Sequence, residues 1–157
     1  MDKHARILVV DDDESIRKTI ATILKEKGYS VETAQNGKEA IEKSKNNFYN
    51  LALIDIRLPD MEGTKLLTSM KETTPKMVKI IVTGYPSLQN AVEAVNKGAD
   101  GYVLKPFNVE KILTMIEGQL RKQKAARRYS EEKVAEFIET RVKTLEESKT
   151  IQHKARH

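Results

Sequence analysis

The chain has 157 residues, no cysteine and a net charge of +5, with hydrophobic residues at 39% and charged residues at 32%. That leaves room for one domain of ordinary size plus an appendage, with enough apolar material for a real core. It excludes a disulfide framework, a thiolate zinc site and a thiol nucleophile. With no apolar signal core in Met1–Arg6 and no long uninterrupted apolar stretch, we expect a soluble, cytoplasmic protein that does not engage membranes.

The first apolar run, Ile7–Val10, is rich in β-branched residues and predicts a strand. Ile16, Ile20, Ile23 and Leu24 follow at i, i+4, i+7 and i+8, one stripe of a helix. Gly28 stands where that helix should stop, as the left-handed residue beyond its last turn. Ser30–Ala34 is a weaker second strand, and Ala40, Ile41 and Ser44 mark a second helix. Leu51–Ile54 reads as the third strand and Leu66, Leu67 and Met70 as the third helix. Lys79–Val82 is the fourth strand, followed by a helix carrying Leu88, Ala91, Val92 and Val95 and closed by Gly98. Gly101–Leu104 is the fifth strand, and Ile112, Met115, Ile116 and Leu120 make the stripe of a fifth helix. Five strand-then-helix repeats, with strands apolar on both faces, point to an α/β fold whose parallel sheet is covered by helices on both sides. In such a doubly wound sheet, chemistry gathers at the carboxyl ends of the strands.

Beyond Asn108 the composition changes: no Pro occurs, and Gly118 is the last Gly. A second apolar stripe (Val134, Phe137, Ile138, Val142, Leu145) spans roughly two heptads, fewer than a coiled coil requires. We expect a C-terminal helical extension, either continuing the fifth helix or folding as a two-helix hairpin. Its stripe would pair with a second copy, dock back or bind a partner's groove. Residues 108–157 hold 12 Lys/Arg against 8 Asp/Glu, densest at Arg121, Lys122, Lys124, Arg127 and Arg128. Nucleic acid, an acidic partner or a membrane surface would suit such a run, although the plain reading is a solvated helix face. His4, His153 and His157 form no ligand-like array and receive no role.

Asp11, Asp12, Asp13 and Glu14 follow the first strand, Asp55 ends the third, Thr83-Gly84 the fourth, and Lys105-Pro106 the fifth. In a parallel sheet of adjacent strands, these carboxylates, a hydroxyl and an ammonium converge on one edge. Clustered carboxylates repel one another unless a cation neutralises them, and an oxygen-rich set of this kind suits Mg²⁺. Asp13 and Glu14 are read as helix caps, where acidic groups meet free N–H groups and the macrodipole. Asp11 and Asp12, next to the strand end, are read as metal ligands.

Four stretches, ILVVDDDESIR (Ile7–Arg17), LALIDIRLPDMEG (Leu51–Gly63), IIVTGYP (Ile80–Pro86) and GADGYVLKPF (Gly98–Phe107), make residues 6–121 resemble a response-regulator receiver domain of two-component systems. The resemblance implies a flavodoxin-like five-stranded sheet of order 2-1-3-4-5, with a receiver domain over residues 1–121 and a charged extension over 122–157. It implies Asp55 as phosphoryl acceptor, with Mg²⁺ held by Asp12 directly, by Asp11 through water, by Asp55 and by the backbone carbonyl of Arg57. Lys105 would pair with the phosphoryl group, Thr83 would hydrogen-bond to it, and Tyr102 would report the state by its inward or outward pose. The Lys105–Pro106 peptide would be cis. The donor would be a sensor histidine kinase or a phosphotransfer protein. The protein would act as a switch and not as a turnover enzyme, working through the face formed by the fourth helix, fifth strand and fifth helix. Arg57 and Tyr85, near the entrance, would tune the lifetime of the acyl phosphate.

Two other readings deserve weighing. Asp11-Asp12-Asp13 loosely fits the Asp-x-Asp signature of haloacid-dehalogenase-like phosphatases, but that motif leaves Asp55, Thr83 and Lys105 unexplained. Alternatively the chain is the front of a longer transcriptional or signalling protein. Neither a P-loop nor a helix-turn-helix pattern occurs in residues 119–157. We therefore do not expect DNA binding, and we leave room for a homodimer through the same face or through the C-terminal helix.

Overall fold

The computed structural model describes residues 5–155, with side chains described for residues 5–148. Ten elements alternate along it: β1 (Arg6–Val10), α1 (Glu14–Glu26), β2 (Ser30–Ala34), α2 (Gly37–Asn46), β3 (Leu51–Asp55), α3 (Gly63–Ser69), β4 (Val78–Thr83), α4 (Leu88–Asn96), β5 (Gly101–Leu104) and α5 (Val109–Ala155). His4, His153 and His157 lie outside the residues whose side chains are described.

The strands form one parallel sheet of order β2-β1-β3-β4-β5, the order implied by the resemblance. Val9 faces Leu53 in register, and Leu53 faces Ile80. Because side chains alternate across a strand, each strand feeds two cores. On one face Ile7, Val9, Leu51, Leu53, Ile80 and Val82 pack with Ile20 and Leu24 of α1 and Ile112, Ile116 and Leu120 of α5. On the other, Leu8, Val10, Ala52, Ile54 and Ile81 pack with Ala40 of α2, Leu66 and Leu67 of α3 and Ala94 of α4. Central strands buried on both sides explain their continuous apolar runs.

Helix ends follow their local chemistry. The side chains of Asp13, Asn36 and Ser87 accept N–H groups of Ile16, Glu39 and Asn90, capping α1, α2 and α4. Gly28 and Gly98 take positive φ (95° and 96°) just beyond α1 and α4, a conformation that a Cβ would penalise. In α4 the apolar stripe found by spacing is not the packed one. Ala94 is the residue that is buried, while Leu88, Val92 and Val95 are exposed.

By its contacts the chain divides into two units, Met1–Gln123 and Lys124–His157. Residues 124–155 are helical without a break, so the two-helix hairpin does not occur there. Val134, Phe137, Ile138, Val142 and Leu145 are all exposed. No helix among the described residues is long and apolar enough to cross a membrane.

Candidate functional site

The strand order reverses between β1 and β3, and the carboxyl ends of these two neighbours form the crevice where ligands settle in open α/β sheets. Asp11 is the first residue after β1, its N–H extending the ladder to Ala34 O at 3.1 Å. Its side chain is buried. Oδ1 accepts the N–H of Asp13 at 2.9 Å, and Oδ2 accepts the ammonium of Lys105 at 2.9 Å. Asp12, one residue on, is exposed. Asp13 turns away to cap α1, and Glu14 pairs on the surface with Lys18 at 2.7 Å. The capping role expected for Asp13 is therefore what the structure shows.

Asp55 closes β3, with Oδ1 accepting the N–H of Arg57 at 3.2 Å and Oδ2 accepting Lys105 Nζ at 3.1 Å. Lys105 thus bridges two carboxylates that lie 44 residues apart in sequence. It reaches them because β5 pairs with β4 and its own N–H bonds to Thr83 O at 2.7 Å. The Lys105–Pro106 peptide is cis. One oxygen from each of Asp11, Asp12 and Asp55 falls within 4.8 Å of the others. This is an all-oxygen acidic set of the kind a hard divalent cation accepts. Arg57, whose backbone carbonyl the resemblance makes the remaining ligand, lies two residues beyond Asp55 in the loop after β3 and pairs across it with Glu62.

Burial pushes the Asp55 carboxyl above its ordinary range, and the nearby charge of Asp11 pushes it further. The Arg57 N–H and the Lys105 ammonium oppose this and do not fully offset it. Burial works against the Lys105 ammonium, but Asp11 and Asp55 outweigh it and hold its pKa above the usual lysine value.

Thr83 is fully buried at the end of β4, and its hydroxyl accepts the N–H of Tyr85 at 2.9 Å, not a bond from the acidic cluster. Tyr102, on β5, is half-buried against the second core. Its hydroxyl is buried with no hydrogen-bond partner. Arg57 and Tyr85 meet: the guanidinium lies 4.1 Å from the ring centre.

Two contacts were not foreseen from sequence. Arg17 Nη1 donates to Asp11 O at 2.8 Å, bracing the end of β1 from one turn into α1. Asp60 accepts the N–H groups of Gly37 and Lys38, both at 2.9 Å. Arg17 sits on a predicted helix beside the acidic run, so its position was a usable signal. Asp60 offered none, because nothing local marks which helix its carboxylate will meet.

The family model described as the response regulator receiver domain matches residues 7–117. The transcriptional regulatory protein ZraR of Klebsiella oxytoca is 40% identical over 112 residues, which is 71% of this chain and 25% of ZraR. A CheY-like response regulator receiver domain protein from Methanospirillum hungatei JF-1 shares 48% identity at a TM-score of 0.75, covering 78% of this chain and 98% of that one. The beryllofluoride-activated NtrC4 receiver domain dimer shares 39% identity at a TM-score of 0.70, covering 75% of this chain and 98% of that one. The chain spans about a quarter to a half of the length of the curated relatives it matches.

These relatives overturn one expectation. DNA binding was set aside because residues 119–157 carry no helix-turn-helix pattern. Yet ZraR is a transcriptional regulatory protein and AtoC of Escherichia coli a regulatory protein, and most of each lies outside the stretch that this chain matches. The lack of a motif in a short extension therefore says nothing about a nucleic-acid output.

Proposed function

This chain belongs to the response regulator receiver domain family, and we propose that it accepts a phosphoryl group on Asp55 from a histidine kinase and passes the signal through the α4–β5–α5 face. The observation that carries this reading is the bridge made by Lys105, whose ammonium bonds to Asp11 at 2.9 Å and to Asp55 at 3.1 Å. A lysine held between two carboxylates is already in place to meet the charge of an incoming phosphoryl group.

The residues fit a divalent cation, and Asp11, Asp12, Asp55 and the carbonyl of Arg57 would hold Mg²⁺. When bound, Mg²⁺ supplies positive charge beside the acceptor oxygen and the phosphoryl oxygens. The Asp55 carboxylate oxygen forms a bond to phosphorus as the P–N bond to the donor histidine breaks. The electron pair of that bond stays on the imidazole nitrogen, which takes up a proton. Lys105 shifts toward the new equatorial oxygens, and Gly84, without a Cβ, leaves room for them to approach the backbone.

The product carries more negative charge and more acceptor oxygens than the carboxylate it replaces. Thr83 then exchanges its bond from Tyr85 for one to the phosphoryl group. Tyr102, whose hydroxyl lacks a partner in the present pose, turns into the space released. An orphaned buried hydroxyl costs about 1–3 kcal/mol, enough to bias a two-state element by about one order of magnitude. The face that changes already exposes Leu88, Val92 and Val95 on α4 and Leu104 on β5.

In this reading the chain is a cytoplasmic switch and not a turnover enzyme, and by analogy with AtoC and ZraR its output is transcriptional. The phosphatase alternative, with Asp11 as nucleophile, draws no support from the family match. The test is mass spectrometry after incubation with acetyl phosphate and Mg²⁺. Wild type should gain one phosphoryl group, and Asp55→Asn should gain none while remaining folded. Stoichiometric labelling of Asp55→Asn at another residue would overturn the assignment.

A further inference from the structure

The loop between β3 and α3 is unusually constrained for an exposed turn. Gly63 N donates to Ile56 O at 2.6 Å, Leu58 N donates to Met61 O at 3.2 Å, and Arg57 pairs with Glu62. The loop is pressed onto the acceptor strand so closely that a Cβ on Gly63 would stand 2.3 Å from Asp55 O. Its far tip is tied down as well. Asp60 lies 5 residues beyond Asp55 and gives one carboxylate oxygen to Gly37 N and the other to Lys38 N, each at 2.9 Å. Next to it Met61 lies over Gly37, where a Cβ would come within 2.4 Å of the sulfur.

The helix so engaged, α2, supplies no residue to the acidic cluster. It also has a cap of its own, since Asn36 Oδ1 accepts the N–H of Glu39 at 2.8 Å. Asp60 is exposed and adds nothing to the core. What its two bonds do is fix the tip of the loop that carries Arg57. A loop closed at its base and pinned at its tip leaves the Arg57 carbonyl little freedom, and preorganised ligands bind a cation more tightly than mobile ones.

We propose that Asp60 is a positioning residue for the cation site, a strut from the N-terminus of α2 that holds the β3–α3 loop in its metal-binding form. The inference rests on the proposed use of the Arg57 carbonyl as a ligand. It makes α2 part of the site's support although that helix contributes no residue to the cluster of Asp11, Asp12 and Asp55. Asp60→Ala should leave a folded protein whose Mg²⁺ affinity is weakened by about 10-fold, the lower end of what outer ligand supports contribute. Asp60→Asn, which keeps an acceptor oxygen, should lose less.

The experiment is a direct Mg²⁺ titration of the full chain followed by ¹H–¹⁵N NMR, with thermal melting recorded for every variant. Asn36→Ala is the control, because it removes the helix's own cap and spares the strut. It should lower the melting temperature while leaving the Mg²⁺ dissociation constant within about twofold of wild type, whereas Asp60→Ala shifts that constant. If Asp60→Ala does not fold, Asp60→Asn carries the comparison. An unchanged dissociation constant in a folded Asp60 variant overturns the proposal, as does an equal shift in Asn36→Ala. Wild type that binds Mg²⁺ yet takes no phosphoryl group from acetyl phosphate removes the proposed function and leaves the strut standing. Wild type that binds no Mg²⁺ removes both.

Discussion

The guanidinium of Arg57 lies 4.1 Å from the centre of the Tyr85 ring, joining the loop after β3 to the loop after β4. Each partner is also tied to the site through its backbone: Arg57 N–H donates to Asp55 Oδ1, and Tyr85 N–H donates to Thr83 Oγ1. The contact is therefore anchored at both ends on residues of the site, Asp55 and Thr83. Such contacts contribute about 0.5–1 kcal/mol at exposed positions. Tyr85→Ala should open the acceptor to water and shorten the life of phosphorylated Asp55 by about 2- to 5-fold. Decay of the labelled protein, followed after removal of the donor, measures this. A lifetime equal to or longer than wild type would show that the stack does not shield the site.

Lys105 faces two carboxylates, and its loss leaves them to repel one another. Lys105→Met should destabilise the Mg²⁺-free protein by about 2 kcal/mol. Added Mg²⁺ should restore more stability to this variant than to wild type, since the cation then replaces the missing charge. Urea melts with and without Mg²⁺ test the point. Equal Mg²⁺ gains in the two proteins would mean that Lys105 and the cation do not serve the same carboxylates.

The raised pKa of Asp55 sets a sign for stability against pH. A group whose folded pKa exceeds its unfolded value costs nothing below the unfolded value, about 3.9 for aspartate, and takes stability away as pH rises through the folded value. In Mg²⁺-free buffer, wild type should therefore fall behind Asp55→Asn as pH rises from the ordinary carboxylate value toward neutrality. The two should converge on acidification. Denaturant melts across that interval decide it, and a wild type more stable than Asp55→Asn at neutral pH would contradict the cause assigned to the shift, burial with Asp11 beside it.

Gly63 tests the packing of the loop on the acceptor strand. A methyl group there would lie 2.3 Å from Asp55 O and 2.8 Å from Ile56 Cα, both backbone atoms with little room to yield. Gly63→Ala should cost about 1–3 kcal/mol by overpacking. It should also slow labelling of Asp55 by acetyl phosphate, because the relief available is to displace the acceptor strand. A variant with wild-type stability would show that the loop shifts freely.

Much of this molecule is written locally. Apolar runs such as Leu51–Ile54 require a strand buried on both faces, the Ile16–Leu24 spacing requires a helix, and Gly28 and Gly98 are needed where φ is positive. The acidic run after β1, Asp55, Thr83 and Lys105 were legible because each falls at a strand's carboxyl end, so a parallel sheet must bring them to one edge. The strand order itself was supplied by resemblance to a family and not by spacing.

Other features depend on distances that no linear pattern records. Spacing marks Leu88, Val92 and Val95 as one face of α4, yet the residue buried against the sheet is Ala94. Thr83 faces Tyr85 N and not the carboxylates, a choice made by the turn after β4. Asp60 reaches the first N–H groups of α2 because the turns after β2 and β3 leave the parallel sheet at the same edge. Sequence by itself determined which residues are apolar, which are charged and the succession of strands and helices through the receiver, since those follow from neighbours along the chain. Only the tertiary structure decided which polar atoms satisfy one another, since that depends on which elements the packed sheet sets next to each other.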